Sequence, residues 1–491
     1  MSKTPNKNND TIWSPMVKIA ALVCALVLIA SIALAVVAKT GVFRRNTVVM
    51  TVGDSEISAL EFNHGYYSAL NDFYSQYYYY ASMIGFDTST SLKSQTCYFD
   101  SSMSWYEYFV NQTKIQLEEV YLLYNKAMDS GFEMTEESKK NFDESISAIE
   151  KAAEDADMKV NEYLRSVYGP NITMDDYKEF VTRRLISADY YEQYMDGLEY
   201  ADDKIEAYYK EHTSQFDIVD YYEYKAKADT TNNKSAEEVA NAIKDAANAG
   251  VDSFIEAIKA YENADTFKAE TYLKEDATYN EDDDTSKWLF EDGRKNGDVT
   301  VIKTKATSAS SSDTFTVICF VERGRETYQL ATMRHILFTV EELTDDNGNS
   351  IKNDDGEIQT DDAEKKAAAE KLLKEWKDGE ATEKSFGALV KDNSDDEGSV
   401  NNEGLYEDFD KNTMVSEITD WIWAEGRKTG DCEIVKTSYG YHIVYFIGYG
   451  DEKWNADVVS TLKGEDYEAY LKDLRETYKM SFNDKGLSQV G

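Results

Sequence analysis

A chain of 491 residues that is 42% hydrophobic and 30% charged is long enough for roughly three domains of about 100 to 200 residues each, with enough apolar material for their cores. Its formal net charge of -41 argues against nucleic acid as a partner, because a polyanion would be repelled. Residues 1–45 hold six basic and one acidic side chain, a net +5, which leaves -46 on the rest. Cys97, Cys319 and Cys432 are too widely spaced for a disulfide framework or a metal-ligand pattern.

The first element is the uninterrupted apolar run Ile19 to Ala38, which matches the roughly 20 residues a helix needs to cross a hydrocarbon core of about 30 Å. It predicts a transmembrane signal-anchor over 17–38 with a cytoplasmic head at 1–16 and the bulk of the chain on the far side. Lys3, Lys7 and Lys18 before the run balance Lys39, Arg44 and Arg45 after it, so the orientation rests on the short head and long tail. A cleaved secretory signal ending near Val36-Val37-Ala38 is the rival, although its apolar part would usually be only about 7 to 15 residues. Cys24 follows Val23 early in the run and does not read as a lipidation site.

Thr47 to Val52 reads as a strand, Gly53-Asp54 as a turn, and Ser58 with Glu61 as a capping box opening a helix. From there to about His212 the spacing is helical, as at Ile115, Leu117, Val120, Leu122 and Leu123, and again at Tyr177, Phe180, Val181, Leu185 and Ile186. An α-helical domain is expected over 46–215. It is dense in tyrosine, with Tyr77 to Tyr80 in succession, and amphipathic rings suit both a core and the gripping of varied apolar surfaces.

Next comes an internal repeat. Trp288 to Thr304 and Trp421 to Thr437 share Trp, Gly, Arg, Lys, Gly, Asp, Lys and Thr at the same places. Each copy opens on a strand-like run, Tyr221 to Ala226 or Met333 to Val340, continues through helices to a Gly-Arg-Lys-x-Gly-Asp turn, and closes on two strands. That order predicts two small α+β domains, 216–326 and 327–450. The period, near 130 residues, is too long for a solenoid of units of about 20 to 50 residues. The second copy carries an insertion, Glu341 to Asp362, in which Ile351 to Ile358 reads as a hairpin around Asp355-Gly356. Within the last segment, 451–491, Glu465 to Tyr478 is an amphipathic helix that cannot bury its apolar face alone and is expected to dock on the helical domain.

Arg334-His335-Ile336-Leu337, Ser385 to Val390, Ser394-Asp395-Asp396, Gly404-Leu405-Tyr406, Met414, Gly430-Asp431 and Tyr439 to Ile443 fall in the order of the parvulin signature. The segment resembles the parvulin (PpiC, rotamase) peptidyl-prolyl cis/trans isomerases. The wider layout is similar to extracytoplasmic foldases of the PrsA and SurA kind. The resemblance implies an α+β multidomain chain: a membrane helix, a helical chaperone-like domain, two tandem parvulin-like domains and a C-terminal helix. Two of the chain's four histidines, His335 and His442, occupy signature positions, which lowers the weight of the alternative that each is merely a core histidine.

Rotation about an X-Pro bond crosses a barrier of about 18 to 20 kcal/mol and breaks no bond, so the chemistry calls for no nucleophile, cofactor or metal. It calls for a pocket that binds the twisted amide better than the planar one. The resemblance implies catalytic roles for His335 and His442, back to back in a hydrogen-bonded network, and for Asp396, an electrostatic partner facing the prolyl amide. The acidic stretch Asp392 to Glu397 also reads as a solvated loop. Met414, Ile418 and Trp423 would hold the proline ring and Tyr439 would help close over it, although their spacing also suits plain core packing. Thr316 stands where His442 would be and the opening strand of the first copy has no histidine, so that copy reads as degenerate. Expected partners are unfolded exported polypeptides with X-Pro bonds and, through the N-terminal helix, the membrane. A non-catalytic holdase and a surface scaffold with one fixed partner are the competing readings.

Overall fold

The computed structural model describes residues 41–306, 308, 312–344, 351 and 360–491. The expected membrane span at 17–38 and most of the Ile351–Ile358 hairpin lie outside the described residues. Among those described, no helix is long and apolar enough to cross a membrane. The chain forms two compact units, one from the residues up to Glu199 together with Lys463–Gly491, the other from Tyr200 to Leu462.

After a short helix at Val42–Asn46, the first unit has two antiparallel strands, β1 (Val48–Val52) and β2 (Ser55–Ser58). Five helices follow: α1 (Ala59–Tyr77), α2 (Trp105–Ser130), α3 (Glu136–Asp155), α4 (Val160–Tyr168) and α5 (Met174–Asp196). Ser104 and Glu107 form a complete capping box that starts α2: the Ser104 amide donates to Glu107 at 2.7 Å, and the Glu107 amide to the Ser104 hydroxyl at 3.2 Å. At the start of α1 only half of the expected box is present. Ser58 accepts the Glu61 amide, but the Glu61 carboxylate turns inward to accept from Tyr121 at 2.8 Å and from Arg183 at 3.0 Å. Burial pushes that carboxyl above its usual range, and Arg183 opposes the shift.

The core of this unit gathers Val49, Met50, Ile57, Phe62, Trp105, Phe109, Leu117 and Leu122. Ile115, expected inside, is 57% exposed, and the buried stripe of α2 instead passes through Tyr121. Leu471 and Leu474 join the same core, and a strand at Met480–Phe482 adds to the free edge of β1, pairing Met50 with Phe482.

In the second unit, α6 (Asp202–Glu211) was expected with the helical domain, but Ile205 is buried against Trp454, Val458 and Leu462. The first copy of the repeat follows as β3 (Asp217–Lys225), α7 (Ala236–Ala246), α8 (Val251–Lys259), β4 (Leu273–Ala277), α9 (Asp284–Leu289), β5 (Val299–Thr304) and β6 (Thr314–Arg325). The second copy is β7 (Gln329–Thr339), α10 (Asp362–Asp378), α11 (Glu383–Asn393), β8 (Leu405–Phe409), α12 (Ser416–Ile422), β9 (Cys432–Lys436) and β10 (Gly440–Glu452). Each builds a four-stranded antiparallel sheet, β4-β3-β6-β5 in one and β8-β7-β10-β9 in the other. The edge strands β4 and β8 were not anticipated.

The shared sequence segment does the same structural work twice. Arg294 donates to the Trp288 carbonyl at 2.8 Å and lies over the Trp288 ring, and Arg427 treats Trp421 in the same way at 2.9 Å. The Lys295 and Lys428 amides donate to Asp298 and Asp431, each at 2.9 Å. The repeat therefore marks a turn clamped by a cation stacked on an indole. It carries the fold and not the site.

Candidate active site

Side chains alternate between the two faces of a strand, so β7 and β10 sort their residues cleanly. Ile336, Tyr441, Ile443 and Tyr445 face α10 and α11 with Trp376, Phe386 and Val390, whereas Met333, Val444 and Phe446 pack with Ile418 and Ile422 of α12. His335 lies opposite Val444, and His442 lies opposite Leu337 and Val435, which puts both imidazoles on the α12 face as diagonal neighbours. Their Nδ1 atoms are 3.1 Å apart, and both residues are buried.

The loop after α11 brings up the third group. The Ser394 hydroxyl accepts from the Leu337 amide at 3.1 Å, the Asp395 amide donates to the Leu337 carbonyl at 2.8 Å, and the Thr339 amide donates to Asp395 at 2.9 Å. Farther along, the His335 amide donates to the Gly404 carbonyl at 2.9 Å. Gly404 has φ +73°, and a β-carbon there would stand 2.3 Å from the His335 carbonyl oxygen, so only glycine permits this approach. Laced to β7 in this way, the loop sets Asp396 Oδ2 2.7 Å from His335 Nε2.

The hydrogen-bond directions follow from the partners. Asp396 can only accept, so His335 Nε2 carries a proton; with His335 neutral, its bare Nδ1 accepts from His442 Nδ1. His442 Nε2 is then an acceptor and takes the Thr437 hydroxyl at 3.0 Å, and Thr437 in turn accepts the Tyr439 amide at 3.1 Å. This tautomer pattern is assigned from the network, which runs in one direction from the Tyr439 amide to the carboxylate. The Ser399 hydroxyl and the Tyr406 hydroxyl, the latter at 3.1 Å, also donate to Asp396. The hydrogen bond from His335 is the leading cause holding the Asp396 carboxyl far below the usual range, with Ser399 and Tyr406 adding to it against the effect of burial.

Burial, with His335 beside it, lowers the His442 imidazole to about 4. The folded state therefore binds fewer protons at this ring than the unfolded state does between about pH 6.5 and 4. Its contribution is complete above pH 6.5 and drains away as the pH falls through that window. Urea titrations across pH 7 to 4 should show His442→Gln losing less stability than the native protein, by on the order of 3 kcal/mol. Parallel slopes for the two proteins would contradict the assignment.

The structure brings together His335, Asp396 and His442. Met414 lies partly buried against the apolar cluster on the same sheet face. Ile418 belongs to that cluster but is 1% exposed, so it backs the face and offers no surface to a ligand, contrary to the expectation. Trp423, like Met414, is partly buried against that cluster. Its indole donates to the Gln329 carbonyl at 2.9 Å and meets Tyr328 and Phe409 edge-on. Gln329 lies six residues from His335 along β7, roughly 20 Å at a strand's rise per residue. Tyr439 projects from the rim, 60% exposed, and joins the network through its amide. Ser399, Tyr406 and Thr437 had no assigned role at the sequence level. The hydroxyl three residues after Asp396 was the available signal for Ser399.

In the first copy Ile318 pairs with Glu223 as Val444 pairs with His335, and Ile302 pairs with Thr316 as Val435 pairs with His442. Glu223 and Thr316 thus occupy the two histidine positions, and no imidazole pair exists there.

The same stretch, residues 335–448, matches the family described as Rotamase: PPIC-type PPIASE domain. That segment is a parvulin-type domain. Among solved structures, the chain is similar to PrsA from Bacillus subtilis at 14% identity, covering 81% of this chain and 97% of that one with a TM-score of 0.30. A peptidylprolyl isomerase (PrsA) from Bacillus anthracis matches at 18% identity over 32% of this chain with a TM-score of 0.18. The match spans 64% of that protein's length, less than two thirds. A structure described with PEB4 and Cj1289, SurA-like chaperones of Campylobacter jejuni, matches at 14% identity over 89% of this chain and all (100%) of that one, with a TM-score of 0.18. No curated protein matches the chain.

Proposed function

We propose that this protein is a membrane-anchored, extracytoplasmic peptidyl-prolyl cis/trans isomerase and chaperone that assists the folding of exported polypeptides. The observation supporting it best is the buried chain Thr437–His442–His335–Asp396, set beside an apolar sheet face within a parvulin-type segment. The anchor rests on the apolar run Ile19 to Ala38.

A twisted X-Pro amide loses its resonance: the carbonyl becomes ketone-like and the nitrogen pyramidal. A site fixed in advance for that charge distribution binds it better than the planar ground state, and removing about 7 kcal/mol from the barrier corresponds to about 10^5-fold acceleration. Here the imidazoles do not transfer a proton to substrate. They lock each other's tautomer and hold Asp396 as an oriented carboxylate, so the polar wall does not reorganise as the amide turns. Met414 would contact the proline ring, Ile418 would support that contact from behind, and Tyr439 would border the entrance. The first copy, with Glu223 and Thr316 in place of the histidines, would be non-catalytic. Unfolded polypeptides would be the partners and nucleic acid would not.

The test is protease-coupled or NMR-exchange isomerisation of Ala-Pro peptides by the full-length protein, with His442→Ala as the control. Acceleration that the variant loses is the expected result. Equal rates for folded native and variant protein would leave a non-catalytic holdase, which the exposed aromatic surface of the first unit would serve.

A further inference from the structure

The end of α1 and the loop that follows it expose aromatic side chains to an extent that a core cannot explain. Tyr79 is 88% exposed, Met83 76% and Tyr98 64%, and Tyr78, Tyr80 and Phe99 are each at least half exposed. Tyr78 meets Tyr79 edge-on at 5.4 Å, and Tyr98 meets Phe99 at 5.6 Å. Phe99 ties the two stretches together, since it packs edge-on against Phe73 of α1 at 6.1 Å and against Trp105 of α2 at 5.7 Å. Exposed apolar surface gathered in one place marks an interaction site, whereas scattered residues do not.

This surface is also held in place. Gln95 donates to the Asp87 carbonyl at 2.7 Å and to the Thr90 hydroxyl at 2.8 Å, and accepts the Asp87 amide at 2.9 Å. The Cys97 amide donates to the Met103 carbonyl at 2.9 Å, closing the turn that presents Tyr98 and Phe99. A platform ordered in advance loses little conformational entropy when a ligand arrives.

Charge narrows the occupant. In a chain that is 30% charged with a net -41, the stretch from Phe73 to Phe99 contains only Asp87 and Lys93. A second copy would bring two strongly acidic bodies together, and an anionic membrane or other polyanion would be repelled over the rest of the surface. A flexible chain carrying uncharged aromatic and aliphatic side chains meets neither obstacle, and tyrosine rings contact such side chains at low entropic cost.

We propose that the aromatic platform formed by Tyr78, Tyr79, Tyr80, Met83, Tyr98 and Phe99 is the surface on which this protein holds uncharged, aromatic-rich segments of unfolded polypeptides. This rests on the chaperone part of the proposed function and names where and by what chemistry the client is held. Tyr79, Met83 and Tyr98 are the most exposed of the six, so Tyr79→Ser, Met83→Ser and Tyr98→Ser together should leave the fold intact.

The experiment is fluorescence anisotropy of a labelled, unstructured peptide of Phe, Leu, Ser and Gly with the full-length protein, alongside the triple variant and Tyr279→Ser, an exposed tyrosine outside the platform, as control. The triple variant should bind about tenfold or more weakly and the control within about twofold, with Ala-Pro isomerisation unchanged in all three. Should the triple variant not fold, Tyr79→Ser alone should still weaken binding about threefold. Native-like peptide affinity in the folded variants would overturn the platform while leaving the chaperone reading standing. A native protein that binds no unfolded peptide would overturn both. Platform-dependent dimerisation, or displacement of the peptide by neutral oligosaccharide, would replace the proposed occupant with a second copy or a glycan.

Discussion

Replacing Asp396 by alanine should lower kcat/KM for X-Pro isomerisation by about 100-fold, the usual cost of removing one preorganised electrostatic group. The carboxylate receives three side-chain donors, from His335, Ser399 and Tyr406. Without it, His335 Nε2 keeps only the Ser399 hydroxyl, 3.2 Å away and able either to donate or to accept, and the tautomer order along His335–His442–Thr437 is no longer determined. The loss should therefore appear in two measurements. Isomerisation rates should fall, and the imidazole nitrogen shifts of His442, on the far side of the dyad, should move in NMR spectra. Asp396→Asn retains one acceptor oxygen and should fall between the two proteins. Activity of Asp396→Ala within about twofold of native would show that the carboxylate is only the solvated loop residue its acidic neighbours suggest.

A second large effect is expected outside the site, at Arg183→Met in the first unit. Arg183 is the cation beside the buried Glu61, whose remaining partner is the Tyr121 hydroxyl. Removing one member of a buried pair leaves an uncompensated charge, at a cost of about 3 to 5 kcal/mol; Glu61 and Arg183 side chains are 7% and 21% exposed, which favours the lower end. The cost should also have a sign in pH. A carboxyl whose folded pKa is raised binds more protons folded than unfolded, so its stabilisation is present at low pH and lost as the pH rises. Urea unfolding should therefore find Arg183→Met closer to native stability near pH 4 than at pH 8. Adding Glu61→Gln should recover part of the loss at pH 8. A destabilisation that does not change with pH would mean that the lost packing of the arginine stem, and not the charge, is responsible.

The site was legible in the sequence because each histidine sits in a short motif on a strand, where the period of two fixes its face once the strand is placed. The edge strands were not legible: Leu273 to Ala277 and Leu405 to Phe409 are short, rich in Lys, Glu and Asp, and lack clean alternation. Such charged, brief strands are what a sheet edge favours, and the same character hides them from a hydrophobic pattern. Trp423 was placed by the resemblance alone, and it stands just past Ile422, where α12 ends and its indole donates to the Gln329 carbonyl. Ser58 and Glu61 showed the right spacing for a capping box. A local pattern cannot reveal that an arginine more than a hundred residues away in sequence will claim the carboxylate. The strongest repeated segment pointed to a clamped turn, since backbone geometry imposes its residue types more strictly than substrate binding does.

The order in which the parts can finish folding follows from where the second unit sits in the chain. The sheet of the first unit needs Met480–Phe482 beside β1, and the Asn483 amide donates to the Val49 carbonyl at 2.8 Å. Every residue from Tyr200 to Leu462 lies between those partners. If the chain emerges N-terminus first, the first unit stays open on one edge until the residues after Lys463 arrive. By then the whole second unit, whose sheets are closed by pairings within its own span, has already emerged. Joining ends across a folded insert spares much of the closure entropy that a loose loop of that length would demand. The second unit would thus act as the staple for its own neighbour, and chains stalled before Lys463 should carry a mature parvulin-type domain beside an unfinished first unit that is open to proteolysis.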